Sequence, residues 1–194
     1  MEKQTADLVK TTSETSLAIS NTQELMQCEG KAFPMVFDRC CKGVAMVDIF
    51  KNKYPNLKKL DGAYGNDKTK RRVKMILAYY NELAALQKGL SPPIIERLAD
   101  MIVDQYPYYN LTLQDLHIAL DRGLGGKYSK DGLVLVLNMA VVTSWLDKYF
   151  SERCDAAENY NRIEDGVHPS GVGERYTEES IIRFIRRHRA EYGK

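Results

Sequence analysis

The sequence predicts an all-α protein, an irregular bundle of about six to seven helices with a long central helix and a basic C-terminal helix. Every segment with a clear apolar period carries it at three- and four-residue steps. Gly and Pro punctuate those segments at their ends. The strand–helix alternation of nucleotide-binding α/β folds is missing. The chain has 194 residues, 44% hydrophobic and 28% charged, which suits a soluble globular protein large enough to bury a core.

The elements follow in order. Residues 1–30 form a polar, flexible N-terminal arm, in which a short helix at Asn21–Gln27 is capped by Asn21 or Thr22 and stopped by Gly30. Pro34 opens a helix that places Val36, Phe37, Cys40 and Cys41 on one side, with a break at Gly43. Val44, Val47, Ile49, Phe50 and Tyr54 continue helically to Pro55. Asn56–Asn66, with two Gly and a Lys-Lys pair, reads as a surface connection. The clearest helix starts at Asp67 and carries Met75, Ile76, Tyr79, Leu83 and Leu86 toward Gly89. Ser91-Pro92-Pro93 starts another, with the stripe Ile95, Leu98, Ala99, Ile102 and Tyr106. Thr112–Arg122 is a short helix with Thr112 as N-cap and Asp115 three residues on. After the glycine-rich loop Gly123–Gly132, the steps Leu135, Met139, Val142, Leu146, Phe150, Cys154 and Ala157 predict one long helix over 133–160. A linker leads to a last helix capped by Thr177. The domain reading is thus arm 1–30, helical core 31–162, and linker plus basic helix 163–194.

Composition excludes several functions. Lys plus Arg is 28 against 26 Asp plus Glu, a net charge of +2, so a nucleic-acid site would have to be a local patch. Cys28, Cys40, Cys41 and Cys154 offer no C-x-x-C pair, which argues against a zinc site or a disulfide framework and for reduced thiols in the cytoplasm. The polar N-terminus lacks a signal-peptide core, and Leu133–Val142, interrupted by Asn138, is too short to span a membrane. His117, His168 and His188 have no metal-ligand spacing, and no nucleophile elbow is present. No catalytic residue, metal or cofactor is assigned.

Three constellations remain. Gly126-Lys127 resembles the end of a phosphate-binding loop, but Asp121 and Tyr128 stand where that loop needs Gly and Ser or Thr. The glycines then serve turns, with Lys127 and Lys130 left as anion contacts. Glu96, Asp100 and Asp104 form an acidic stripe at four-residue steps. It reads as a solvated face, paired with the neighbouring basic helix, or as a magnesium-dependent nuclease site. Five cations crowd Lys68–Lys74, of which Arg71, Arg72 and Lys74 are candidate phosphate contacts. In the last helix Ile181, Phe184, Ile185, His188 and Tyr192 make one face, leaving Arg183, Arg186 and Arg187 for phosphates or an acidic protein surface.

Ile95/Ala99/Ile102 with Tyr106, Leu111-Thr112-Leu113-Gln114-Asp115-Leu116, Gly126-Lys127-Tyr128, and Trp145-Leu146-Asp147-Lys148-Tyr149 with Glu152-Arg153 carry a resemblance. The stretch from Ile95 to Arg153 resembles an uncharacterised family of small helical proteins from Bacteroides-type bacteria and their phages and mobile elements. That family brings no activity to transfer. Its pattern continues Gly-Lys-Tyr with Gly and an aromatic residue, where this chain has Ser129-Lys130-Asp131. The helix spacing is also similar to replication accessory proteins such as phage helicase loaders, a likeness of fold alone. The sequence therefore points to a non-enzymatic helical protein that binds nucleic acid or a replication partner. The alternative is a protein–protein adaptor or assembly protein, a virion component or a host-defence antagonist, in which Leu133–Val142 joins a homo-oligomer interface.

Overall fold

The structure, a computed structural model, describes residues 16–86, 88–132 and 134–164. It divides the chain into two units, Met1–Tyr160 and Asn161–Lys194. Of the second unit only residues 161–164 are among the described residues, so the linker and the basic helix expected from Thr177 lie outside them.

The fold is all-α. Eight α-helices are described: α1 (residues 16–27), α2 (Phe33–Cys41), α3 (Met46–Lys51), α4 (Leu57–Tyr64), α5 (Asn66–Ala84), α6 (Pro92–Asp104), α7 (Leu113–Leu124) and α8 (Met139–Glu164). Single 3-10 turns precede α2 and α7, at Gly30–Ala32 and Tyr108–Asn110. No strand occurs among the described residues, and the one isolated bridge pairs Asn56 with Thr112.

Helix α5 is the hub, packing against α4, α6 and α7. Its buried face is Thr69, Arg72, Val73, Ile76, Leu77 and Tyr80, at the steps expected of a helix stripe. Leu98, Ala99, Ile102 and Val103 bury one side of α6. Leu113, Leu116, Ala119 and Leu120 do the same for α7. Val142, Trp145, Leu146 and Tyr149 of α8 complete the core.

Three expectations need correction. Residues 16–27 are helical, with Ala18, Thr22, Leu25 and Met26 all buried. Within 1–30, then, this segment is core-packed rather than a flexible arm; residues 1–15 lie outside the described residues. The stretch expected as a surface connection contains α4, whose Leu57 and Leu60 are 0% and 2% exposed. Asn56 caps it by accepting from the Lys59 amide at 2.9 Å, the role an N-cap side chain plays.

The long helix starts at Met139, not Leu133. Asn138 is the reason: its Oδ1 accepts from the Val141 amide at 3.0 Å and its carbonyl from the Val142 amide at 3.1 Å. An amide side chain that captures a free amide of the first turn fixes a helix start more strongly than periodicity extends one. Residues 134–138 are non-helical, and the Leu137 amide donates instead to the Lys88 carbonyl at 3.1 Å.

Candidate nucleic-acid interface

The basic helix and the acidic stripe face each other. Lys70 Nζ lies 3.1 Å from Asp100 and 2.7 Å from Asp104, and Lys74 Nζ lies 2.5 Å from Glu96. Asp104 also accepts from Asn66 Nδ2 at 3.1 Å. The hydrogen bond from Lys70 holds the Asp104 carboxyl below its usual range, and the same bond raises Lys70. All three acids of the stripe are thereby neutralised by α5. No group of three potential metal ligands occurs among the described residues.

This arrangement corrects part of the predicted site. Lys74 is held by Glu96 and is not an open phosphate contact. Arg72 is 0% exposed. Its guanidinium donates from Nη2 to the Met26 carbonyl at 3.0 Å and from Nη1 to the Cys28 carbonyl, and it stacks 6.0 Å from the Phe33 ring centroid. Burial lowers its pKa, opposed by Glu29 at 3.8 Å. Arg72 therefore fastens the end of α1 to α5 and is unavailable to a ligand. Arg71, its neighbour, reaches the same Glu29 carboxylate at 3.8 Å but from the surface, its side chain being 66% exposed.

The glycine loop is a turn. Gly126 has φ +82°, and a Cβ there would meet the Gly132 carbonyl oxygen at 2.2 Å. The amides of Gly125, Gly126, Lys127 and Ser129 bond to carbonyls inside α7 and the loop. With those donors used internally, no ring of amides is left to cradle phosphate. Lys127 Nζ is 2.8 Å from Glu152, which also accepts from Arg122 at 2.9 Å and Tyr128 at 3.4 Å. Of the two loop lysines, Lys127 is thus tied to α8, while Lys130 is exposed.

Most residues that carried the sequence resemblance have structural work in this fold. Asp115, 0% exposed, accepts from the Thr112 amide and hydroxyl at 2.8 and 3.0 Å, from Arg153 Nε at 3.0 Å and from the Tyr149 hydroxyl. Lys148 donates to the Tyr128 carbonyl at 2.7 Å, and Tyr108 donates to Asp147. Trp145 is 3% exposed. These side chains join α7, the loop and α8. They account for the motif as a framework.

Arg183, Arg186 and Arg187 lie outside the described residues. Of the predicted site, Arg71 and Lys130 are open among the described residues. The sequence reading missed Lys58 and Lys59 on α4 and left Lys68 of α5 unassigned. Lys58 and Lys59 are exposed, Lys68 is half-buried, and none has a described carboxylate within salt-bridge distance. The signal was present in the Lys58-Lys59 pair, but assigning that stretch to a connection removed the helix that presents it. Comparisons with protein-family models, with curated proteins and with solved structures find no match to this chain.

Proposed function

We propose that the protein binds nucleic acid through its phosphate backbone, as a non-enzymatic accessory protein of the kind used in replication by phages or mobile elements. The observation that carries this reading is the division of charge on α4 and α5. Lys70 and Lys74 are neutralised by α6, whereas Lys58, Lys59, Lys68 and Arg71 stay outside that pairing. The nearby acids are Asp61 and Asp67, and Glu29 beside Arg71. Exposed cations outside the α5–α6 ion pairs are what a phosphate backbone requires, because each contact releases condensed counterions. The resemblance to proteins of mobile elements supports the cellular setting.

The test is a salt titration of binding to duplex and single-stranded DNA, with wild type and a Lys59→Ala/Arg71→Ala variant. The variant should lower the slope of log affinity against log salt by about 1.4–1.8, at roughly 0.7–0.9 per phosphate contact. Absence of wild-type binding at low salt overturns the reading.

A second reading, a protein–protein adaptor or homo-oligomer, is favoured by one observation. Leu135, in the non-helical 134–138 segment, is 77% exposed beside buried Leu137. Sedimentation of wild type and Leu135→Ser tests it: a single monomeric species for both removes the oligomer form of this reading.

A further inference from the structure

Eight of the described tyrosines fall into two groups. Tyr79, Tyr80, Tyr108, Tyr128 and Tyr149 each place the hydroxyl on an internal partner, respectively Asp38, His117, Asp147, Glu152 and Asp115. Tyr64, Tyr106 and Tyr109 have no such hydroxyl partner among the described residues; the Tyr106 and Tyr109 rings are in contact, and Tyr64 ends α4, whose start is bonded to the chain after the Tyr109 turn. A tyrosine kept for packing normally satisfies its hydroxyl or buries its ring. Tyr106 does neither, being 47% exposed.

These elements form a corner built by short-range ties. The Leu57 amide, at the start of α4, donates to the Leu111 carbonyl just after the Tyr108–Asn110 turn, at 2.8 Å. The start of α5 is bonded to the end of α6 through Asn66 and Asp104. Helix α4 therefore runs from the Tyr109 turn to the α5 start, beside the chain leaving α6 at Tyr106. On this frame Lys58 Nζ lies 5.2 Å from the Tyr109 ring centroid and Lys68 Nζ 5.4 Å from that of Tyr64. The Tyr106 and Tyr109 rings meet edge to face at 6.0 Å.

We propose that this tyrosine–lysine corner is a stacking platform for the bases of a single-stranded nucleic acid. The inference rests on the nucleic-acid reading above and names its substrate class. Two lysines unpaired with carboxylates, each beside an aromatic ring, supply what an unpaired strand offers partners for: a phosphate at each step and a base with a π-face. Duplex DNA hides its base faces and would use the lysines alone. An acidic protein would likewise use the charge but leave the rings idle. Asp61 and Asp67 flank the corner, while Asp104 is already held by Lys70 and Asn66.

The experiment measures fluorescence anisotropy of labelled oligo-dT, an abasic strand of the same length, and a duplex, on the full chain at low salt. Wild type should bind oligo-dT more tightly than the abasic strand. Tyr106→Ala and Tyr109→Ala should each weaken oligo-dT binding about five-fold or more, as loss of one base–aromatic stack does, and leave abasic binding unchanged. Tyr106→Phe should bind as wild type does, because it keeps the ring. Tyr106→Ala tests the face even if Tyr109→Ala unfolds, since Tyr106 is about half exposed, and melting curves establish which variants are folded. Equal affinity for oligo-dT and the abasic strand, unchanged binding by a folded Tyr106→Ala, or equal competition by polyglutamate overturns the platform while backbone binding stands. No wild-type binding to any strand overturns both.

Discussion

Gly123 of α7 lies against the indole of Trp145 on α8: a Cβ built on Gly123 would fall 2.2 Å from Cε3 and 2.3 Å from Cδ2 of that ring. The glycine is helical and carries no positive-φ requirement, so its value is the room it leaves. Gly123→Ala should destabilise by about 1–3 kcal/mol through overpacking, although alanine is the better helix former by about 1 kcal/mol. Trp145→Ala should cost about 3–5 kcal/mol. Urea denaturation of both checks the pair, and a Gly123→Ala protein as stable as wild type would mean α7 and α8 can separate freely.

The buried Asp115 carboxylate makes a sharper prediction. It caps α7 with Thr112 and holds Arg153 and Tyr149 of α8. Asp115→Ala should cost about 3–5 kcal/mol, since it strands a largely buried cation. Thr112→Ala should cost only about 1 kcal/mol, the worth of an N-cap. Equal costs in chemical denaturation would show that the cap, and not the tie to α8, is what Asp115 contributes.

His117 gives a pH dependence. Burial lowers its pKa from the ordinary 6.5, against the pull of Asp121 and Asp38. Its Nδ1 meets the Tyr80 hydroxyl, which also donates to the His117 carbonyl at 3.3 Å. The unfolded chain then binds the proton more readily than the folded one, so stability is full above the unfolded pKa and falls as the pH drops through about 6.5 toward the folded value. Urea midpoints on either side of that pH should differ for wild type and differ less for His117→Gln. Parallel curves would assign the dependence to other groups.

Arg71 and Arg72 should separate cleanly. Arg72→Met leaves the Met26 and Cys28 carbonyls without their donor, at about 1–3 kcal/mol each, and should lower the melting temperature. Its effect on the salt slope of DNA binding should be nil while the protein stays folded. Arg71→Ala should do the reverse, with stability within about 0.5 kcal/mol of wild type and a salt slope reduced by about 0.7–0.9.

What was legible in the sequence was local. Thr112 with Asp115, Pro34 near the start of α2, and Leu98, Ala99 and Ile102 of α6 depend on residues a few positions apart and appear as read, whereas of the stripe read for α5 only Ile76 is on the buried face and Leu83 is 57% exposed. The pairing of the acidic stripe with the basic helix was among the readings because both are periodic. What failed depended on competition or distance. Asn56 and Asn138 each start a helix where composition suggested a connection or a continuous run. Arg72 differs from Arg71 only through carbonyls 46 and 44 positions away, which no local pattern encodes. The Tyr64, Tyr106 and Tyr109 corner needed the fold before the ties between its elements could be seen.

The grip of Arg72 on Met26 and Cys28 also bears on where this chain can be cut. A shortened version beginning near residue 30 looks harmless from composition, since most of what it discards is polar. It would strip Leu25 and Met26, both 0% exposed, from the interior and leave a guanidinium facing a hollow without its two carbonyl acceptors. An unanswered charge in an apolar recess is among the costliest defects a fold can carry, so such a truncation should yield aggregated or poorly expressed material. A cut placed before residue 16 keeps the whole of that contact.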